Sequence, residues 1–228
     1  MKKLFVSLLV LPIVCSCINI NFSSKSIRCK GPVETRAIEV EGGFSKLEMN
    51  GGFDIVLVNA DSCSVSVEAN EDAFEWLVFD TKDDGTLVLE TKDHVTIMAE
   101  KCEITISAPV FTQINVNGAV DLEYDFAGSG NDALAIEVNG AGDMELSKFA
   151  GPSLDVTVNG AADLDLEDIT AQSLSVTING AGDVTVSGEV DDASFSVNGA
   201  GSIDASSLNV KNTPKVHKGG IADVKLAK

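Results

Sequence analysis

Asp121, Asp143, Asp163 and Asp183 recur at spacings of 22, 20 and 20 residues, each four residues after an asparagine that opens an Asn-Gly-Ala motif. Ser202 breaks the series in the next copy. If equivalent positions stack, carboxylates one rung apart repel by about 1 kcal/mol even in full solvent screening. Such a column attracts cations. Calcium takes six to eight oxygens, and Asn side chains and corner carbonyls would supply the rest. The match to the calcium-binding nonapeptide repeat fails, because the Asp follows the second glycine directly and the period is twenty rather than nine. Asp121, Asp143, Asp163 and Asp183 are therefore expected to be solvated, outward aspartates, with no metal and no cofactor.

Paired carboxylates also cleave glycosidic bonds when set roughly 5 to 9.5 Å apart. An Asp-rich repeat offers so many pairs that the pattern carries no information. What is missing is more telling. From Gln113 to Ser206 the only basic residue is Lys148, and the chain has two histidines, His94 and His217. A lyase acting on uronates needs a base and cationic neutralisation in its groove. No nucleophile motif, phosphate-cradling loop or zinc-ligand spacing is present. A non-enzyme is expected, with a polysaccharide-processing enzyme as the alternative. Outward Thr157, Thr177, Thr185, Ser194 and Ser196 suit hydrogen bonding to a glycan or protein, although stacking platforms are limited to Trp76 and Tyr124.

These residues belong to five near-copies of one segment, whose motif pairs are Asn117-Gly118, Asn139-Gly140, Asn159-Gly160, Asn179-Gly180 and Asn198-Gly199. Repetition at a fixed period of about twenty residues indicates stacked units that cannot fold singly. Within each copy apolar and polar residues alternate, the pattern of a half-buried strand. Leu154, Val156, Val158, Gly160, Ala162 and Leu164 share one parity; Asp155, Thr157, Asn159, Ala161 and Asp163 share the other. Asn-Gly is also a hairpin signal, so an antiparallel meander competes. The constant inward residues and the variable second turn favour stacking. The expected fold is all-β, a right-handed parallel β-helix with coils of about 20 residues and one short helix near 70–77. Asn50-Gly51-Gly52 reads as a degenerate first copy and "KGGIADVKL" as a worn last one.

The ends add context. Lys2 and Lys3, an apolar run from Leu4 to Val14 and small residues before Cys17 read as a signal peptide over 1–16. Val14-Cys15-Ser16-Cys17 is a lipobox-like stretch, making Cys17 the lipidation site. Residues 17–36 are expected to be a solvated tether. Residues 37–228 are the domain: an irregular half over 37–112, regular repeats over 113–206 and a lysine-bearing cap over 207–228. The formal charge of −19, about −21 without the signal, argues against nucleic acid. Cys29, Cys63 and Cys102 remain; a Cys63–Cys102 disulfide is conceivable in an oxidising compartment.

The lipobox, the strand set from Gly51 to Thr91 and the serial "VNGAGDM" and "INGAGDV" motifs resemble the head GIN domain family, described as "putative auto-transporter adhesins" and common in Bacteroides and its relatives. The resemblance covers residues 37–228 and implies a right-handed β-helix. It carries no catalytic or ligand residues. The expected function is a non-catalytic, lipid-anchored cell-envelope protein, an adhesin or assembly module. Its partners would be the membrane through the lipid, a protein or glycan ligand and other copies of itself, at the outer membrane.

Overall fold

The computed structural model describes residues 25–126 and 132–227. The signal peptide and Cys17 lie outside the described residues. The first strands are β1 (Ser26–Arg28), β2 (Val33–Ile38), β3 (Lys46–Asn50), β4 (Gly52–Asn59) and β5 (Ser64–Asn70). After a 3-10 turn at Glu71–Glu75 come β6 (Leu77–Thr81), β7 (Thr86–Thr91), β8 (Thr96–Met98) and β9 (Cys102–Ala108). The repeats form β10 (Gln113–Val116), β11 (Ala119–Asp125), β12 (Leu134–Val138), β13 (Ala141–Ser147) and β14 (Ala150–Val158). Three long strands follow: β15 (Ala161–Ile178), β16 (Ala181–Val210) and β17 (Lys215–Leu226).

In the repeats, each strand pairs in parallel with its counterpart about twenty residues on. Thus Val156 lies beside Val176 and Val176 beside Phe195. β15 joins two walls, pairing with β13 through its first half and with β14 through its second. The alternation read from sequence becomes burial: Leu154, Val156, Val158, Leu164 and Leu166 are buried, whereas Asp155, Asp163 and Asp165 are exposed. The inward set forms continuous apolar columns. One runs Met49, Val116, Val138, Val158, Ile178, Val197, all fully buried. Each such side chain contributes roughly 1.5–3 kcal/mol before its ordering entropy is subtracted.

The expectation of a right-handed parallel β-helix is overturned. The strands form a mixed parallel and antiparallel sheet that curls into a nearly closed barrel. Three ladders are antiparallel: β2 with β5, β5 with β9, and β6 with β7. The cause is an insertion. β3 and β4, the degenerate first copy, pair directly with β10 and β11, so Asn50 lies beside Asn117 although 67 residues separate them. The intervening chain passes to the other side of this rung, where its β7 and β9 still pair in parallel with β3 and β4. There it returns on itself, and the antiparallel strands β6, β5 and β2 close the two sheet edges at that end.

Two smaller expectations also change. Part of the supposed tether is folded: β1 pairs with β8, β2 with β5, and Cys29 is buried, because Ile27, Cys29 and Ile38 supply apolar surface to the core. The short helix is a single 3-10 segment, Glu71–Glu75, in which only Ala73 is buried. With one buried side chain and no side-chain cap, it has little to extend it into an α-helix.

Candidate surface and its supporting ladder

The motif asparagines stand on the outer side of one corner and bond to one another. Asn117 Nδ2 donates to Asn50 Oδ1 (2.9 Å), Asn139 to Asn117 (3.1 Å), Asn159 to Asn139 (2.9 Å), Asn179 to Asn159 (2.9 Å) and Asn198 to Asn179 (3.0 Å). All amide dipoles in the chain point the same way. At the donor end, Asn50 Nδ2 bonds to the Glu48 carboxylate (3.1 Å), which Lys82 holds at 2.7 Å. These two partners, the ammonium first, keep Glu48 below the usual carboxylate range. At the acceptor end the ladder stops, because Gly219 occupies the asparagine position beside Asn198.

The glycine after each asparagine has its steric cause in the adjacent rung. A Cβ on Gly140 would fall on the carbonyl oxygen of Gly118, one on Gly160 on that of Gly140, and the same holds up the column through Gly118, Gly180 and Gly199. Adjacent rungs therefore touch backbone to backbone at this corner. The amide of the following alanine donates to the same carbonyl, as in Ala161 to Gly140 and Ala181 to Gly160, both at 2.9 Å.

Beyond the corner, the outward residues of β4, β11, β13 and β15 form a grid. Asp54 faces Asp121, Asp143 faces Asp163, and Glu145 lies between Glu123 and Asp165. A shallow groove runs across it, lined by Glu123, Glu145, Asp165 and Glu167 and, at the β4 end of these columns, by Val56 and Val58. Lys148 is ion-paired with Asp125 at 2.8 Å. Burial first, then the Asp121 and Glu103 carboxylates, push the Asp54 carboxyl up, opposed by Lys101.

The aspartate column has a structural duty in its upper part. Asp163 Oδ1 accepts the Asp183 amide (3.0 Å), and Asp183 Oδ1 accepts both the amide (3.1 Å) and the hydroxyl (2.6 Å) of Ser202. Ser202, where the acidic series breaks, thus binds the aspartate below it. Among the described residues no three His, Cys, Asp or Glu side chains are grouped so as to hold a metal ion.

The remaining candidates are dispersed. Tyr124 is buried in an aromatic row with Phe111, Phe126 and Phe149, its hydroxyl donating to Asn59 Oδ1 (3.0 Å), so it offers no stacking platform. Trp76 is half-buried against the core. Cys29, Cys63 and Cys102 are free. Cys63 Sγ bonds to the Phe44 backbone, whereas burial, with Asp54 and Cys29 nearby, pushes the Cys102 thiol up to about 11. The two thiols conceived as a disulfide thus belong to different neighbourhoods.

Sequence reasoning missed Asn70, which is buried and bonded through both its amide atoms: Nδ2 donates to Gly31 O (2.9 Å), and Oδ1 accepts from the amides of Glu100 (2.9 Å) and Lys101 (3.1 Å). It pins the early chain onto β9. The only signal was a polar residue closing an alternating strand. Also missed was the Val56 and Val58 strip, since outward valines look like any strand residue.

Residues 43–227 match the family model described as "putative auto-transporter adhesin, head GIN domain". No curated protein matches the chain. Among solved structures, a "putative adhesin" from Bacteroides fragilis is 19% identical, with a TM-score of 0.66 over 88% of this chain and 99% of its own. A "putative lipid binding protein" from Parabacteroides distasonis is 15% identical, with a TM-score of 0.53 over 90% and 100%. A "putative adhesin" from the same species is 11% identical, with a TM-score of 0.50 over 88% and 100%. At these identities the likeness is one of fold. The family match spans most of the chain, and the protein belongs to the head GIN domain family of "putative auto-transporter adhesins".

Proposed function

We propose that this chain is a non-catalytic, adhesin-like protein of the cell envelope, tethered by lipid at Cys17, that displays its carboxylate face to a partner carrying amines or dense hydroxyls. The observation that carries this reading is the outward grid of β4, β11, β13 and β15, where acidic residues repeat rung after rung and the one lysine of the repeats is already paired. Their mutual repulsion is relieved when a cationic group docks. Val56 and Val58 give the same groove an apolar end. The adhesin names borne by the family and by two of the fold relatives agree with display rather than turnover.

The test is binding of the protein to immobilised glycans and to amine-bearing polymers, with Glu145→Lys and Asp165→Lys as paired variants. The reading expects retention that falls with salt and is lost in both variants while the melting temperature stays within a few degrees. Hydrolysis or elimination of any glycan, or retention indifferent to both variants, would sink it. For the tether, metabolic labelling with a fatty acid should mark the wild type and not Cys17→Ala.

A further inference from the structure

The last rung differs from the others in several columns. Lys218 occupies the inward position held below it by Val158, Ile178 and Val197. Its ammonium reaches back to the Val224 carbonyl (3.4 Å) and Asp223 (3.7 Å). Val216 and Leu226 are exposed, and Val224 is only half-buried, because no further rung among the described residues covers them. Outside the corner, Ile221 stands where the five Asn-Gly-Ala repeats have alanine, and it is 85% exposed. Of the six exposed large apolar residues among the described residues, three lie on β17.

The backbone edge of β17 is also open among the described residues. At lower rungs the amides of Asn179 and Ala181 point back to Val158 and Gly160. The same register turns the amides of Gly219 and Ile221 toward β16. Those of Lys218 and Ala222 then face outward, since direction alternates along a strand, and Gly220 between them turns the corner with a φ of 84°.

We infer that β17 is a self-docking edge, at which a second copy of this chain pairs antiparallel about a two-fold axis at Gly220. Only residues facing the same way can lie opposite one another in an antiparallel ladder. The axis at Gly220 meets this condition. It places Val216 beside Val224 of the second copy and Lys218 beside Ala222 of the second copy, all inward, so two open core ends become one. On the outer side Ile221 lies over Gly219 of the second copy, which has no side chain to displace it.

Electrostatics single out a second copy over an anionic polymer. The chain carries a formal charge of −19, yet this end is balanced internally. Lys211 is paired with Asp191 (3.3 Å), Lys225 with Asp204 (3.4 Å) and Lys218 with Asp223. Few free ammonium groups remain to hold phosphates or uronates. Across the two-fold, His217 faces Asp223 of the second copy. Lys215 faces Lys225 of the second copy, whose charge Asp204 already offsets.

The test uses the exported full chain carrying Cys17→Ser, so that acyl groups contribute nothing. Sedimentation equilibrium should show a monomer–dimer equilibrium that Ile221→Lys weakens by roughly tenfold or more, with the melting temperature of the monomer unchanged. Lys218→Val should tighten it. To fix the register, copies carrying Gly219→Cys are mixed with copies carrying Ile221→Cys, both with Cys63→Ser and Cys102→Ser so that no partly exposed native thiol competes, under a mild copper oxidant, which takes up the two electrons as the thiols join and release their protons. A disulfide between the two variants, formed in the mixture and not in either alone, supports the assignment. A chain that stays monomeric, a dimer unaffected by Ile221→Lys, open-ended filaments, or cross-linking in the single variants would overturn it.

Discussion

Asn179 and Asn159 are joined amide to amide, Nδ2 of the first lying 2.9 Å from Oδ1 of the second, on the solvent side of the barrel. Exposed amides gain little from bonding to each other singly, because water competes equally well. Here each amide is held by a strand corner already fixed by the core, so bonding carries little further ordering cost, and the aligned dipoles strengthen one another. Replacing Asn159 by Ala removes bonds on both sides and should cost about 1–2 kcal/mol. The double variant with Asn179→Ala should cost less than the sum of the single changes, by chemical denaturation. Strict additivity would mean that the amides act independently.

The glycine column makes a sharper demand. Gly160→Ala drives a methyl group into the Gly140 carbonyl, and backbone held by ladders on both sides cannot move away. A loss of about 3 kcal/mol or more is expected. Gly219→Asn should do the opposite. A Cβ there would lie 3.2 Å from Asn198 Oδ1, and the new amide could donate to that oxygen. It extends the ladder by one rung, with an expected gain of about 0.5–1 kcal/mol.

Asp163 should contribute as a hydrogen-bond acceptor rather than as a charge. Asp163→Ala strands the Asp183 amide and should cost about 1 kcal/mol, while Asp163→Asn, which keeps Oδ1, should recover most of it. Thermal melts with calcium and with chelator decide between this role and cation binding. A calcium-dependent rise that Asp163→Ala abolishes would restore the metal reading.

Asp54 should show the acidic face in its pH dependence. Its carboxyl titrates above the ordinary range because burial and two neighbouring carboxylates disfavour the anion. The folded state therefore bears a penalty at neutral pH that disappears once the pH falls below the unfolded value of about 3.9. Asp54→Asn should raise the melting temperature at pH 7, more at low salt, and the gain should vanish in acid. An equal gain at both pH values would point to packing instead.

Several features were legible in the residues alone. The twenty-residue period, the inward parity of Leu154, Val156 and Val158, and the outward parity of Asn159 and Asp163 all follow from local alternation, which a strand translates directly into burial. Asn50-Gly51-Gly52 was readable as a rung because its spacing pattern survives. The closing antiparallel strands were not, since alternation says which face a residue occupies and nothing about the direction of the neighbouring strand.

The amino-acid sequence by itself determined that this chain makes stacked β rungs with an asparagine and a glycine at each corner, because those properties lie within a few bonds of the residues concerned. Only the tertiary structure decided that the first rung meets the second across 67 residues, that the chain between them closes a mixed barrel, and that Lys218 stands at the open end of an otherwise apolar column. These outcomes depend on which strands compete for the same edge. That competition is settled by long-range closure and burial, which no local pattern records.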